Sequence, residues 1–132
     1  SDSDAKCLAS AADVLLSLHR AEGFGLTLAE AMAAGTPVIA TGWSGNTEFM
    51  SDYGTEVKVT LRRIEDPQGI YSGQDWAEPD IAHAAELLRR LRADDDWRQS
   101  LIARGRRLVE QRLSLDAYHA SLGRAFAAAI ED

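Results

Sequence analysis

One stretch constrains this chain more than any other: Leu26 to Ala34 is built from strong helix formers and is followed by Gly35 and then Pro37. Glycine just past a helix end with proline beyond it is a paired stop signal, so the helix has a marked boundary. Short apolar runs of strand length lie on both sides, Asp13 to Leu18 before it and Pro37 to Thr41 after it. Small residues from Ala5 to Ala12 suggest the end of an earlier helix. Gly42, Ser44, Gly45 and Asn46 form a second turn ahead of a short helix at Thr47 to Ser51. Strand, helix, strand with tight turns implies a parallel sheet with right-handed crossovers.

Beyond this unit, Glu56 to Leu61 alternates, with Val57, Val59 and Leu61 on one side, and predicts a strand nearer the sheet edge. Arg62 to Glu78 contains Pro67, Gly69 and Gly73 and no clear period, so it reads as a long loop of the kind that makes contacts or carries function. Three helices follow. Ile81, Ala84, Ala85, Leu88 and Leu91 recur at helical spacing, as do Leu115, Tyr118, Leu122, Phe126 and Ile130; Trp97, Leu101 and Leu108 do so less cleanly, around Gly105. The expected fold is α/β, a Rossmann-like parallel sheet flanked by helices, with a helical C-terminal segment.

The 132 residues, 45% of them apolar, suit one domain with a core of its own. Cys7 has no partner in the chain, which fits a reducing, cytosolic setting better than secretion. Ser1 to Ser10 has no signal-peptide pattern and reads as a cut edge. Apolar runs fall well short of the roughly 20 residues that cross a bilayer, so any membrane contact is expected to be peripheral. A net charge of −7 argues against nucleic acid as a partner, because that affinity comes from cations meeting phosphates. The arginines between Arg89 and Arg112 are interleaved with Asp94, Asp95 and Asp96 and read as a solvated helical face, with an anionic membrane or partner surface as the alternative.

The chemistry concentrates in Glu22, Gly23, Phe24, Gly25, Leu26, Thr27, Leu28, Ala29 and Glu30, between a buried strand and a buried helix. A helix start offers unpaired N–H groups and a positive dipole end, and Gly23 and Gly25 let backbone approach a ligand closely, so this turn is a phosphate site. In parallel α/β sheets ligands bind beyond the carboxyl ends of the strands, where the turn falls. The dinucleotide fingerprint fails, since Leu28 stands where it needs a third small residue. The P-loop fails as well, since no lysine follows a glycine. Carboxylates repel phosphate, so Glu22 and Glu30 are better read as acceptors for diols on either side of it, as in a nucleotide diphosphate sugar.

Glu22 and Glu30 with seven residues between them, Gly-Phe-Gly-Leu inside that interval and the run Ala-Glu-Ala-Met-Ala-Ala-Gly-Thr-Pro-Val-Ile from Ala29 to Ile39 resemble the retaining GT-B glycosyltransferases of family 4. The resemblance runs from about Leu8 to Met50; Trp76 to Leu91 is similar to a later stretch of some members. It implies the C-terminal, donor-binding half of a GT-B fold that transfers a hexose from a nucleotide diphosphate sugar. It also implies Glu30 on the ribose hydroxyls, Glu22 as the catalytic residue beside the donor sugar, and the amides of Gly23, Phe24, Gly25, Leu26 and Thr27 near the phosphates. No metal and no further cofactor are required. The family's basic pair and catalytic histidine region are not found in this sequence, so residues 1–132 are expected to be a single truncated nucleotide-sugar-binding domain, inactive without an N-terminal acceptor domain. Such a domain can also self-associate through surface meant for its other half.

Blander readings stand beside these. Thr27 and Glu30 have capping-box spacing. Glu22 also reads as a surface acid, Phe24 and Leu26 as packing residues, Asn46 as an N-cap, and Trp43 and Trp76 as cover for a core edge. His19 is expected on the cleft side. The competing function is a non-catalytic α/β binding or interaction module.

Overall fold

A computed structural model describes residues 7, 8 and 10–130 of the chain. The N-terminal edge at Ser1 to Ser10 and the helical end over Ala5 to Ala12 fall partly outside them; Cys7, Leu8, Ser10 and Ala11 are helical. The elements run β1 (Leu15–Ser17), α1 (Leu26–Ala34), β2 (Val38–Thr41), α2 (Thr47–Met50), β3 (Glu56–Val57), β4 (Val59–Arg63), β5 (Asp75–Pro79), α3 (Ile81–Ala93), α4 (Asp95–Leu113) and α5 (Leu115–Ile130).

β1, β2 and β3 form a parallel sheet in that order, with Leu15 opposite Val38 and Ala40 opposite Glu56. β2 is its centre, and all four of its residues are buried. Those β-branched and small side chains suit a strand covered on both faces. The fold is therefore the α/β class expected, a parallel sheet flanked by helices.

α1 occupies the predicted span. Gly35 takes a left-handed φ of 91°, its N–H reaches the Met32 carbonyl at 3.1 Å, and the Thr36 N–H reaches Ala31 at 2.9 Å. This pair of bonds is the Schellman ending that glycine makes possible. The helix buries Leu28, Ala29, Ala31 and Met32 in one core with Phe49, Met50, Tyr53, Val57, Leu101 and Leu108. Tyr53 accepts the Val38 N–H at 3.2 Å, and burial holds its hydroxyl above the ordinary tyrosine ionisation range. α4 crosses this core at Gly105, where a Cβ would meet Tyr53 at 3.2 Å and Met32 at 3.4 Å; that close approach explains the weak helical pattern around Gly105.

Three expectations change. The strand expected over Glu56 to Leu61 is two strands: Glu56 and Val57 extend the parallel sheet, and Val59 starts a separate antiparallel pair. The break is at Lys58, whose N–H goes to His83 Nδ1 at 3.1 Å and whose carbonyl takes the Asp80 N–H at 2.8 Å. The long loop of Arg62 to Glu78 is a hairpin in which β4 pairs with β5. Asp75 to Pro79 conceals a strand because its inward residues are Ala77 and Pro79, too small or too atypical to show alternation.

The arginines, finally, are not simply a solvated face. Arg104 donates to Tyr53 O at 2.9 Å and Arg106 to Ala34 O at 3.2 Å, while Arg112 donates to Glu48 O at 2.9 Å and pairs with Asp52. Cations at the C-terminal carbonyls of α1 and α2 satisfy groups those helices cannot and oppose their dipoles. α4 thereby straps the α/β unit. α5, by contrast, leaves Leu115, Tyr118 and Phe126 largely exposed; the side chain of Ile130 lies outside the described residues. Among the described residues, no helix is long and apolar enough to cross a membrane.

Candidate functional site

Two turns meet at the carboxyl ends of the parallel strands, one after β1 and one after β2. Their contact is very close: a Cβ at Gly45 would lie 2.0 Å from the Gly23 carbonyl oxygen. Only glycine fits there. The Glu22 carbonyl accepts the Ser44 hydroxyl at 2.6 Å and the Gly45 N–H at 3.3 Å, and Ser44 takes a left-handed φ of 79° to present that hydroxyl.

His19 closes the joint from below. Its Nε2 lies 3.1 Å from both the Trp43 carbonyl and Asn46 Oδ1, and its Nδ1 lies 3.0 Å from Ser17 Oγ. Two acceptors at Nε2 place the proton there, so Nδ1 accepts from the serine. Asn46 is fully buried, and its Nδ2 donates to Thr41 O at 3.0 Å, which turns Oδ1 toward His19. Asn46 precedes α2 without capping it by its side chain. The sequence placed His19 toward the cleft but did not reveal this clamp, because neither residue stands at a spacing that links β1 to the second turn.

The first turn delivers the start of α1. Gly25 is its N-cap at φ 91°, and no side chain caps this end. The capping box is therefore not formed: the helix begins at Leu26, so Thr27 lies inside it. Glu22 Oε1 accepts the Gly25 N–H at 3.2 Å, and the Ala29 N–H starts the ladder on Gly25 O at 3.0 Å. Between them, the N–H groups of Leu26, Thr27 and Leu28 are those no intrahelical carbonyl can reach. Leu26 is 67% exposed and Thr27 is exposed, so the mouth opens to solvent. This end of the helix can take an anion.

Phe24 packs its ring on Phe49, 5.5 Å away, in keeping with a packing role for the side chain. A Cβ at Gly23 would meet nothing within 4 Å. Glu22 is half-buried at the root of the turn; Glu30 is exposed on the Leu26 face of α1, one turn in. Side chains in a helix lean toward its N-terminus, which inclines Glu30 toward the mouth. Glu30 also borders a shallow apolar cleft with Cys7, Ser10, Ala33 and Ala34, which Glu22 does not line. Glu22 thus stands at the root of the turn, while Glu30 lies along the helix beside a different hollow. Trp43 is half-buried, with its carbonyl held by His19. Trp76 lies on the hairpin under the guanidinium of Arg20.

No curated protein and no solved structure gives a significant match to the chain. The family model described as "Glycosyl transferases group 1" matches residues 1–108, which include both turns, the sheet, the hairpin and most of α4. A match across that much of the sequence supports glycosyl transfer as the activity and a sugar donor and acceptor as its substrates. The chain belongs to the group 1 glycosyl transferases.

Proposed function

We propose that this chain is the donor-binding part of a glycosyltransferase that moves a hexose from a nucleotide diphosphate sugar to an acceptor with retention. One observation carries the reading: the exposed start of α1 at the strand ends, without a side-chain cap and with Glu22 held at its root by the Gly25 N–H. The diphosphate rests against the turn from Gly23 to Thr27, with the Leu26 and Thr27 amides as donors beside the Gly25 N–H that Glu22 already takes. Glu30 accepts from the ribose hydroxyls. Glu22, already oriented by the Gly25 N–H, accepts from hydroxyls of the sugar and holds it for transfer.

As the bond from sugar to diphosphate breaks, negative charge grows on the leaving oxygens. Fixed N–H groups and the helix dipole stabilise that charge without having to reorganise. The reading needs no metal and no cofactor beyond the donor. A separate acceptor domain supplies the remaining groups in this account, residues 1–132 alone do not turn over, and the enzyme works in the cytoplasm with at most peripheral membrane contact.

A thermal-shift panel of UDP-, GDP- and ADP-glucose tests this. A ligand at a hundred times its Kd stabilises the folded form by about 2.7 kcal/mol, so at least one donor raises the melting temperature. Glu22→Gln and Glu30→Gln each shrink that shift while leaving the unliganded melt nearly unchanged. Inertness to all three donors, or full responses from both variants, returns the chain to a non-catalytic binding module.

A further inference from the structure

The β4–β5 hairpin carries a second cluster of chemistry that the donor turn does not use. Across its antiparallel pair, Arg62 faces Trp76 and Thr60 faces Glu78, which puts these four side chains on one face; Ala77 and Pro79, both buried, point to the other. Trp76 is half-buried. The Arg20 guanidinium stands 5.0 Å from the centre of its ring and reaches Glu78 at 2.9 Å. Beside the ring opens a cleft of about 550 Å³ lined by Leu61, Arg62, Arg63, Glu65, Trp76 and Glu78.

The lining is specific about ligand chemistry. Two arginines and two glutamates balance, so the cleft favours neither a phosphate nor a cation. It offers strong donors and strong acceptors around one aromatic surface. Arg62 and Glu65 make no ion pair among the described residues, which leaves a donor and an acceptor for a ligand. A neutral ring with hydroxyls at its rim and C–H groups on its face satisfies both demands, since an aromatic surface takes an apolar face and charged side chains make the stronger hydrogen bonds.

The cleft is also tied to the donor turn. The Ala77 N–H donates to Arg20 O at 3.0 Å, so strand and side chain both hold the hairpin to the segment that leads into Glu22. Two residues of chain span at most about 7 Å, which sets this anchor close to the donor sugar's flank.

We infer that the hairpin cleft is a carbohydrate subsite in which a hexose unit of the acceptor stacks on the part of the Trp76 ring that lines the cleft, away from Arg20, and bonds through Arg62 and Glu65. Its role as an acceptor site rests on the glycosyl-transfer reading; its affinity for sugar does not. Saturation-transfer NMR with maltose, cellobiose and lactose on the 132-residue chain tests it. At least one disaccharide receives saturation on its C–H protons. Trp76→Ala weakens that binding about tenfold or more, Trp76→Tyr retains much of it, and the nucleotide-sugar melting response of both variants is unchanged. No signal from any of the three sugars overturns the subsite, as does an undiminished signal in a folded Trp76→Ala. If the disaccharides bind while every nucleotide sugar is inert, the cleft stands and the donor reading falls.

Discussion

A methyl group at Gly45 would sit 2.0 Å from the Gly23 carbonyl oxygen, far inside van der Waals contact, and 2.9 Å from the Phe24 Cα. Gly45→Ala therefore has to push the second turn off the first, breaking both bonds to the Glu22 carbonyl and releasing the residue proposed to hold the sugar. Overpacking of this kind costs about 1–3 kcal/mol, and backbone as the obstacle puts Gly45→Ala at the upper end. Gly23→Ala is the contrast. Its added Cβ meets nothing within 4 Å, so its stability stays within about 0.5 kcal/mol of the parent. Urea denaturation of both variants checks this, and equal losses would show that the turns do not depend on that contact. In the sequence the more conspicuous glycines were Gly23 and Gly25, because they sit between the two acids. The tightest one, Gly45, gets its importance from a contact 22 residues away in the chain, between Gly45 and Gly23. His19 and Asn46 are the same case: each has an ordinary local reading, and only the sheet brings them within 3.1 Å.

At the scale of elements, legibility follows how local the determining interactions are. α1 could be read to its last residue because Gly35 ends it through bonds to Met32 and Ala31, all within the same stretch of chain. α3 and α4 have caps of the same local kind, Asp80 to the His83 N–H and Asp94 to the Trp97 N–H. β5 could not be read, since its partner β4 supplies its backbone bonds and its own side chains show no alternation. The arginines of α4 were misjudged for a related reason, as charge patterning says nothing of which carbonyls a guanidinium reaches. Arg112 holds Glu48 O and Ser51 Oγ and pairs with Asp52, whereas Arg89 is exposed on α3. Arg112→Ala is expected to cost about 1–2 kcal/mol and Arg89→Ala less than about 0.5 kcal/mol, measured by chemical denaturation. Indistinguishable effects would restore the solvated-face reading.

At the scale of the molecule, the sheet, the helices and the helix mouth form one argument. A central strand buried on all four residues fixes β2, the parallel register brings both turns to one end, and Gly25 leaves the start of α1 without a side-chain cap. The α/β class and the position of the glycine turn at the end of β1 were legible, because they depend on pattern and on where parallel sheets put their loops. The hairpin and the strapping by α4 were not, because they depend on contacts between distant segments. Whether the mouth of α1 holds a diphosphate is the question on which the functional account stands. The most direct measurement is an amide-resolved NMR titration of the 132-residue chain with UDP, GDP and ADP. The account predicts that at least one of them moves the Leu26, Thr27 and Leu28 amides first and furthest. Saturable shifts confined to other parts of the chain, with those three amides unmoved, would contradict it.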